Sequence, residues 1–283
     1  MIKVLHPGIY TSVQDQGRIG MAKKGIPQSG FMDAFSAELG NILLKNRKKE
    51  AVLEITYGLG KFEFTSDTFI CLTGGNFSPK INTFPVEMNT VHEVKKGDFL
   101  SFGRRVYGAR VYLAVQGGIQ TDVVLKSRSF FPGITQQRLI KGEELKILKQ
   151  NFYEAGYSRV KVYYEHFESP ELECYPGPEY DQLNDKQKQQ LQQAFTISED
   201  NNRVGYRLNE LIKNDLKPIL TSAVLPGTVQ LTPSGKLIVL MRDAQVTGGY
   251  PRVLQLSDYA VSKLSQKVAG DIVHFILSFQ DQN

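Results

Sequence analysis

Apolar and polar positions alternate at short period over most of the chain. Residues 51–56, 60–65, 68–73, 90–94, 98–103 and 109–116 are runs rich in Val, Ile, Phe, Tyr and Thr, separated by Gly, Asn, Asp or Pro, the pattern of strands bounded by turns. A further run closes at Ile147 and Leu148. Strands are predicted again at 159–165, 171–176, 228–232, 237–241 and 252–256, and a last one starts at Gly270 and reaches Phe279. Helical spacing occurs in three places. Ser29 or Asp33 can cap a helix whose apolar stripe is Phe35, Leu39 and Ile42 to Leu44, ending near Asn46. Leu183, Leu191 and Phe195 share one side of a polar helix over 183–195, and a third helix covers 258–266. Many short strands with few helices predict a mainly β protein built from antiparallel barrels or sandwiches.

At 283 residues the chain exceeds one ordinary core. Two domains are expected, 1–150 and 158–283, with NFYEAGYS at 151–158 as the boundary. A faint internal echo agrees with two similar halves. Lys96-Gly97-Asp98, Lys141-Gly142-Glu143 and Ala269-Gly270-Asp271 each introduce an alternating run, and Gly-Gly pairs follow apolar runs at 74–75, 117–118 and 248–249.

The stretch from Pro7 to Asn41 breaks the pattern. Gln14, Asp15 and Arg18 stand among glycines at 8, 17, 20 and 25, which reads as a long ordered polar loop. Loops beyond about 12–15 residues in a compact domain are more often functional than connecting, so this one is expected to line a site. A second such region follows the apolar run from Leu237, which delivers Asp243, Gln245, Thr247, Gly248, Gly249, Tyr250 and Arg252 to its end. Adjacent glycines allow backbone N–H groups to approach an anion closely; a plain hairpin turn is the other reading. In NNRVGYRL, Arg203 and Arg207 would share a face of a strand and hold a carboxylate together, or else be surface arginines. Acid–base candidates are Asp15, Asp33 and Asp243, and hydroxyl candidates are Ser29 and Thr247, although capping also accounts for Ser29 and Asp33. There is no Gly-x-Ser-x-Gly elbow, phosphate loop or dinucleotide fingerprint.

Composition narrows the classes. With 41% hydrophobic and 22% charged residues the chain reads as soluble and globular. Its formal charge of +5 is scattered among 29 acidic residues rather than gathered in a basic run, which argues against nucleic acid and leaves small anions as the partners of its arginines, Arg18, Arg128, Arg203, Arg207 and Arg252 among them. Two cysteines, Cys71 and Cys174, lie in apolar runs and are expected to be buried thiols. The four histidines are isolated, so no metal site is expected. Neither a leader nor a run of roughly 18 apolar residues is present, so a cytoplasmic protein with no membrane contact is expected. The five methionines precede Ile, Ala, Asp, Asn or Arg, so the Met-Lys-Met type of biotin acceptor is missing and no covalent biotin is expected on this chain.

The run TSVQDQGRIG, followed by GIPQSGFMD and Asn41, resembles the opening signature of the family that contains the C subunit of ATP-dependent 5-oxoprolinase, the second subunit of allophanate hydrolase and half of the carboxyltransferase region of urea carboxylase. The likeness continues through LEITYGLGKFEF at 53–64, LTGGN at 72–76, KKGDFLSFG at 95–103, YLAVQGGI at 112–119, SRS at 127–129, NRVGYRL at 202–208 and the block at 226–253. It departs at Thr221-Ser222, at QVTGG and at LKSRSF, where the family more often has Ser-Asp/Glu, Gln-Thr-Thr-Gly-Gly and Leu-Gly-Ser-Arg-Ser-Thr. The resemblance implies two cyclophilin-like β-barrels. It implies a chain that binds the B subunit directly and works with the A subunit, opening 5-oxoproline to glutamate with ATP consumed at the level of the complex. In that reading Arg207 or Arg252 holds the substrate carboxylate, the Gly248 and Gly249 amides face developing negative charge, and Asp15 or Asp243 handles protons. Gln14, Arg18, Ser29, Arg203, Gln245, Thr247 and Tyr250 complete the expected binding set, with the two polar regions meeting on one cleft. A carboxyltransferase half, and a non-catalytic binding protein antagonising a kinase inhibitor, are the rival roles.

Overall fold

A computed structural model describes residues 1–131, 133, 135, 138–148 and 160–278. Contacts divide the chain into two compact units, Met1–Arg18 with Ser29–Phe167, and Ile19–Gln28 with Glu168–Asn283. The expected boundary at 151–158 lies outside the described residues.

The first unit contains β1 (Ile2–Pro7), β2 (Tyr10–Gln14), α1 (Ala34–Leu43), β3 (Val52–Thr56), β4 (Gly60–Phe64), β5 (Thr68–Asn76), β6 (Lys80–Ile81), β7 (Phe84–Pro85), β8 (Val91–Val94), β9 (Phe99–Ser101), β10 (Tyr107–Val115) and β11 (Glu144–Leu145). One sheet runs β11-β1-β4-β9-β6-β7 and the other β2-β3-β10-β5-β8. Register decides which side chains are inside. Val13, Leu53, Leu113 and Leu72 stand opposite one another across four strands and join Ile2, Val4, Phe62 and Phe64 of the first sheet in a common core. The next row, Ser12, Glu54, Tyr112 and Thr73, faces the other way by the two-residue period of a strand. Its Tyr112 is nonetheless buried, in a second cluster with Phe31, Ala37 and Leu43 on and beside α1.

Helix α1 starts where expected, with Asp33 as cap accepting from the Ser36 N–H. Its buried face differs from the expected stripe. Phe35 and Ile42 are exposed, while Ser36, Ala37, Gly40, Asn41 and Leu43 face inward. Leu39, Leu43 and Leu44 of the expected stripe do pack in the buried cluster; the shift comes from closeness at Gly40, where a Cβ would lie 3.1 Å from Thr73 Oγ1 and 3.2 Å from the Ala114 methyl, so the helix meets the sheet there on its small residues. The Pro7–Asn41 loop is also shorter than read, because Tyr10–Gln14 is a strand, paired residue for residue with β3.

Helix α2 (Glu165–Glu168) precedes the strands of the second unit. That unit contains β12 (Glu171–Pro176), α3 (Asp185–Leu191), β13 (Ala194–Asn201), β14 (Gly205–Leu211), β15 (Ser222–Ala223), β16 (Thr228–Leu231), β17 (Lys236–Leu240), β18 (Thr247–Gly248), β19 (Arg252–Leu256), α4 (Asp258–Ser265) and β20 (Ile272–Leu277). Seven strands close a barrel in the order β12-β19-β16-β17-β14-β13-β20, and β15 and β18 form a separate ribbon. The barrel's one parallel pair is β12 with β20. Closure removes the free edges that an open sheet would expose. Residues 160–165 form no strand, contrary to the reading of 159–165, and α3 stops at Leu191 because Ala194 already begins β13. The mainly β expectation holds. Both cysteines are buried and free, and burial pushes the Cys71 thiol up to about 12. No helix among the described residues is long and apolar enough to cross a membrane.

Candidate functional site

The predicted residues fall in both units. Gln14, Asp15, Arg18 and Ser29 belong to the first, and all four are buried. Asp15 is the centre of a latch. Its Oδ1 accepts from the Gly17 N–H at 2.8 Å and from the Ser127 and Ser129 hydroxyls at 2.6 and 2.5 Å, and its Oδ2 accepts from the Arg128 N–H at 2.6 Å. Arg18 adds a bond from Nη2 to the Ser129 carbonyl at 2.7 Å. The SRS block thus binds Asp15 through two hydroxyls and a backbone N–H, and with the Gly17 N–H four donors engage the carboxylate. Gln14 donates to Ser12 Oγ at 2.9 Å. Its Oε1, like the Ser29 hydroxyl, is buried with no hydrogen-bond partner among the described residues. Ser29 holds a left-handed backbone at φ 56°, and Asp33, not Ser29, caps the helix.

Asp33 is itself part of a buried network. His166 Nε2 lies 2.9 Å from its Oδ2, and the Ser36 hydroxyl donates to the same oxygen at 2.5 Å. The Asp33 N–H donates to the Tyr112 hydroxyl at 2.8 Å, and that hydroxyl donates to Glu54 Oε2 at 3.0 Å. Burial alone would raise the Asp33 pKa, but the charge of His166 and the bonds from His166 and Ser36 outweigh it and hold the carboxyl below its usual range. The carboxylate sits between hydroxyl and imidazole, so this is not a nucleophile–base–acid relay.

In the second unit, Arg203 and Arg207 do not act together. Arg203 lies before β14 and is buried. Its Nε and Nη2 donate to Asp243 Oδ2 and Oδ1 at 2.7 and 3.0 Å, and the Asp243 N–H donates to the Arg203 carbonyl at 2.8 Å. The backbone turn at Asn202 makes the shared strand face impossible. Asp243 is therefore one arm of a clamp between two turns, not an unengaged acid. Arg252 is also engaged. Nη1 reaches the Ala223 carbonyl at 2.9 Å, and Nε and Nη2 reach Glu179 at 3.0 and 2.8 Å, side-chain bonds that, with the one from the Arg252 N–H, hold the Glu179 carboxyl below its usual range.

Around these clamps lies a cavity of about 250 Å³ lined by Asn202, Val204, Gly205, Arg207, Gln230, Ile238, Leu240, Gln245 and Tyr250. Strand register explains it. Arg207 stands opposite Ile238, Ile238 opposite Gln230, and Gln230 opposite Arg252, so these side chains share one face. The alternate residues Tyr206, Val229 and Val239 are fully buried and fill the barrel. Three expected residues, Arg207, Gln245 and Tyr250, are brought together here; Thr247 and Gly249 do not line the cavity. Gly248 is absorbed into the ribbon, opposite Ser222, rather than left as an anion cradle. A Cβ there would meet Gln230 Nε2 at 2.5 Å. Arg207 pairs with Asp200 at 3.1 Å where both are well exposed, which leaves it the most available cation of the set. Gln230 and Asn202 were missed by composition, though a lone Gln within the buried run TVQL is a readable signal. The cavity falls below the usual range for drug-sized ligands, about 300–1,000 Å³, so it suits a small polar molecule and not a nucleotide.

Comparison with known proteins agrees with this architecture. The family model described as "Carboxyltransferase domain, subdomain A and B" matches residues 24–277. The chain is 32% identical to the 5-oxoprolinase C subunit of Escherichia coli (strain K12), over 98% of itself and 91% of that protein. It is 30% identical to the protein of that name in Haemophilus influenzae, over 97% and 90%. The solved urea amidolyase of Kluyveromyces lactis superposes with a TM-score of 0.86 at 26% identity, covering 98% of this chain and 18% of that one. The chain spans little more than half, or less, of the solved chains it matches. The near-complete match of the family model, with relatives at this identity over nearly the whole length, makes this chain a member of the carboxyltransferase domain, subdomain A and B family.

Proposed function

We propose that the chain is the C-type subunit of an ATP-dependent 5-oxoprolinase, which opens the lactam of 5-oxoproline to glutamate together with the A and B subunits. The observation that carries this reading is the 32% identity to an Escherichia coli 5-oxoprolinase C subunit over nearly the full length of both chains. The cavity of the second unit is chemically apt. Arg207 offers a guanidinium fork for the substrate carboxylate, Gln245 and Tyr250 supply hydrogen bonds, and Val204, Ile238 and Leu240 wall it with apolar surface. A lactam carbonyl is a weak electrophile, so ATP supplies activation at the level of the complex. In this chain the Arg203–Asp243 clamp positions the rim, and no step is assigned to Asp15 or Asp243.

The test is co-expression with the A and B subunits, followed by measurement of 5-oxoproline-dependent ATP hydrolysis. Arg207→Ala is expected to raise KM by about 10–150-fold, the loss of a hydrogen-bonded charge of about 1.5–3 kcal/mol. No turnover by the wild-type complex would remove the substrate; an unchanged KM in the variant would remove the site. A second reading, a carboxyltransferase half, draws on the structural likeness to urea amidolyase and is favoured instead by carboxyl transfer from a biotin carrier in the same assay.

A further inference from the structure

We propose that Gln230 is the specificity-determining residue of the second-unit cavity, its side-chain N–H donating to the ring carbonyl of a small lactam. The proposal rests on the reading above for the choice of lactam. Gln230 is 2% exposed, and its Nε2 has no hydrogen-bond partner among the described residues. A buried amide donor left unpaired costs about 1–3 kcal/mol, and native proteins seldom keep one without a use. The surroundings make an apolar residue the cheaper occupant. Ile238 lies opposite Gln230 on the neighbouring strand, and Ile238 packs against Val224, Leu240 and Ala244.

Two sequence choices that weaken the fold locally become intelligible together. Gly248 leaves out a Cβ that would lie 2.5 Å from Gln230 Nε2, so the ribbon gives up a side chain beside a donor that has no partner among the described residues. The terminal torsion of a Gln is broad and roughly two-fold, which lets the amide turn its donor from the wall toward the cavity that Gln230 lines. Arg207 stands two strands away on the same face, about 10 Å between backbones at a strand spacing of ~4.8 Å. Long side chains from both ends leave room for a molecule with a carbonyl at one end and a carboxylate at the other. The Arg207–Asp200 pair is solvent-exposed, and such pairs are weak enough for Arg207 to exchange partners.

The experiment compares 5-oxoproline with proline, which has the same ring size and carboxylate but a methylene in place of the ring carbonyl and a protonated ring nitrogen, by calorimetric titration of the full chain alone and with the A and B subunits; the change between wild type and variant isolates the carbonyl contact. Wild type is expected to prefer 5-oxoproline by about tenfold, the worth of one good hydrogen bond. Gln230→Leu and Gly248→Ala are each expected to lower that preference by about tenfold. Melting of Gln230→Leu reports separately on folding: removal of an unpaired donor leaves its midpoint equal to or above wild type. An unchanged 5-oxoproline preference in both variants overturns the proposal, as does a wild type that binds neither ligand. Turnover of 5-oxoproline by the complex with an unaltered KM in Gln230→Leu refutes the role of Gln230 and leaves the function standing. Preferential binding lost in Gln230→Leu, with no turnover by the wild-type complex, refutes the function and leaves the role of Gln230 standing.

Discussion

Asp15→Asn isolates the latch of the first unit. The substitution keeps the shape of the side chain and replaces one acceptor by a donor. In the native arrangement Oδ1 serves the Gly17 N–H and two hydroxyls and Oδ2 serves the Arg128 N–H. The serine hydroxyls can rotate to accept, but the two backbone N–H groups cannot. Whichever way the amide is turned, its NH₂ faces one of them and strands it. The loss of a charge-assisted acceptor is worth about 1.5–3 kcal/mol and a stranded buried N–H about 1–3 kcal/mol, so the expected destabilisation is about 4 kcal/mol. At about 2–4 °C per kcal/mol for a domain of 150–250 residues, the midpoint falls by about 8–16 °C. Ser127→Ala removes the bond to Asp15 and the one it accepts from the Ser129 N–H at 2.9 Å, leaves the carboxylate with three donors, and is expected to cost about half as much. Thermal melting followed by circular dichroism measures both. An Asp15→Asn midpoint within 2 °C of wild type, on the order of the smallest shift resolved, refutes the latch.

Two further outcomes follow from the buried pairs. The Asp33 carboxyl is held below its usual range, so its stabilising contribution is fully present above the unfolded value of about 3.9 and is lost as pH falls through the lower folded value. Urea titrations between about pH 5 and 2 should show a steeper fall in stability for wild type than for Asp33→Asn, and parallel curves contradict the pairing with His166. Arg252→Lys keeps the charge but loses the fork to Glu179 and the bond to the Ala223 carbonyl, an expected cost of about 1–2 kcal/mol. Because all three guanidinium nitrogens are already engaged, KM for 5-oxoproline should stay constant in this variant; a KM rising as in Arg207→Ala means that Arg252 touches substrate.

What the chain states locally is its β character, its strand positions and its helix starts. The strands from Val52 to Val115 are recoverable because alternation, β-branched residues and Gly-rich turns report a half-buried pleated surface directly. Asp33 is recoverable as a cap because its bond to the Ser36 N–H spans three residues. Tyr10–Gln14 and Ala194–Asn201 were missed as strands because their polar residues are buried, or matched, only by pairing with segments far along the chain. The inward face of α1 was misread for a related reason. A stripe of Phe35, Leu39 and Ile42 to Leu44 looks amphipathic in isolation, and Leu39, Leu43 and Leu44 do pack inward, yet the closeness of Thr73 and Ala114 at Gly40 turns the helix so that Ser36 and Ala37 are buried and Phe35 and Ile42 are exposed.

Partner choice among charged residues was decided by tertiary structure alone. Nothing in the spacing of Arg203, Arg207, Asp243 and Arg252 says that the first clamps the third, that the fourth is taken by Glu179, and that Arg207 is left toward the cavity. The partners of Asp15 are not legible locally because the serines that bind it lie more than a hundred residues away. Residue type sets which interactions a side chain is capable of, and that much is local. Which of them it makes depends on the groups that chain crossings bring within about 3 Å, and those crossings are a property of the whole fold.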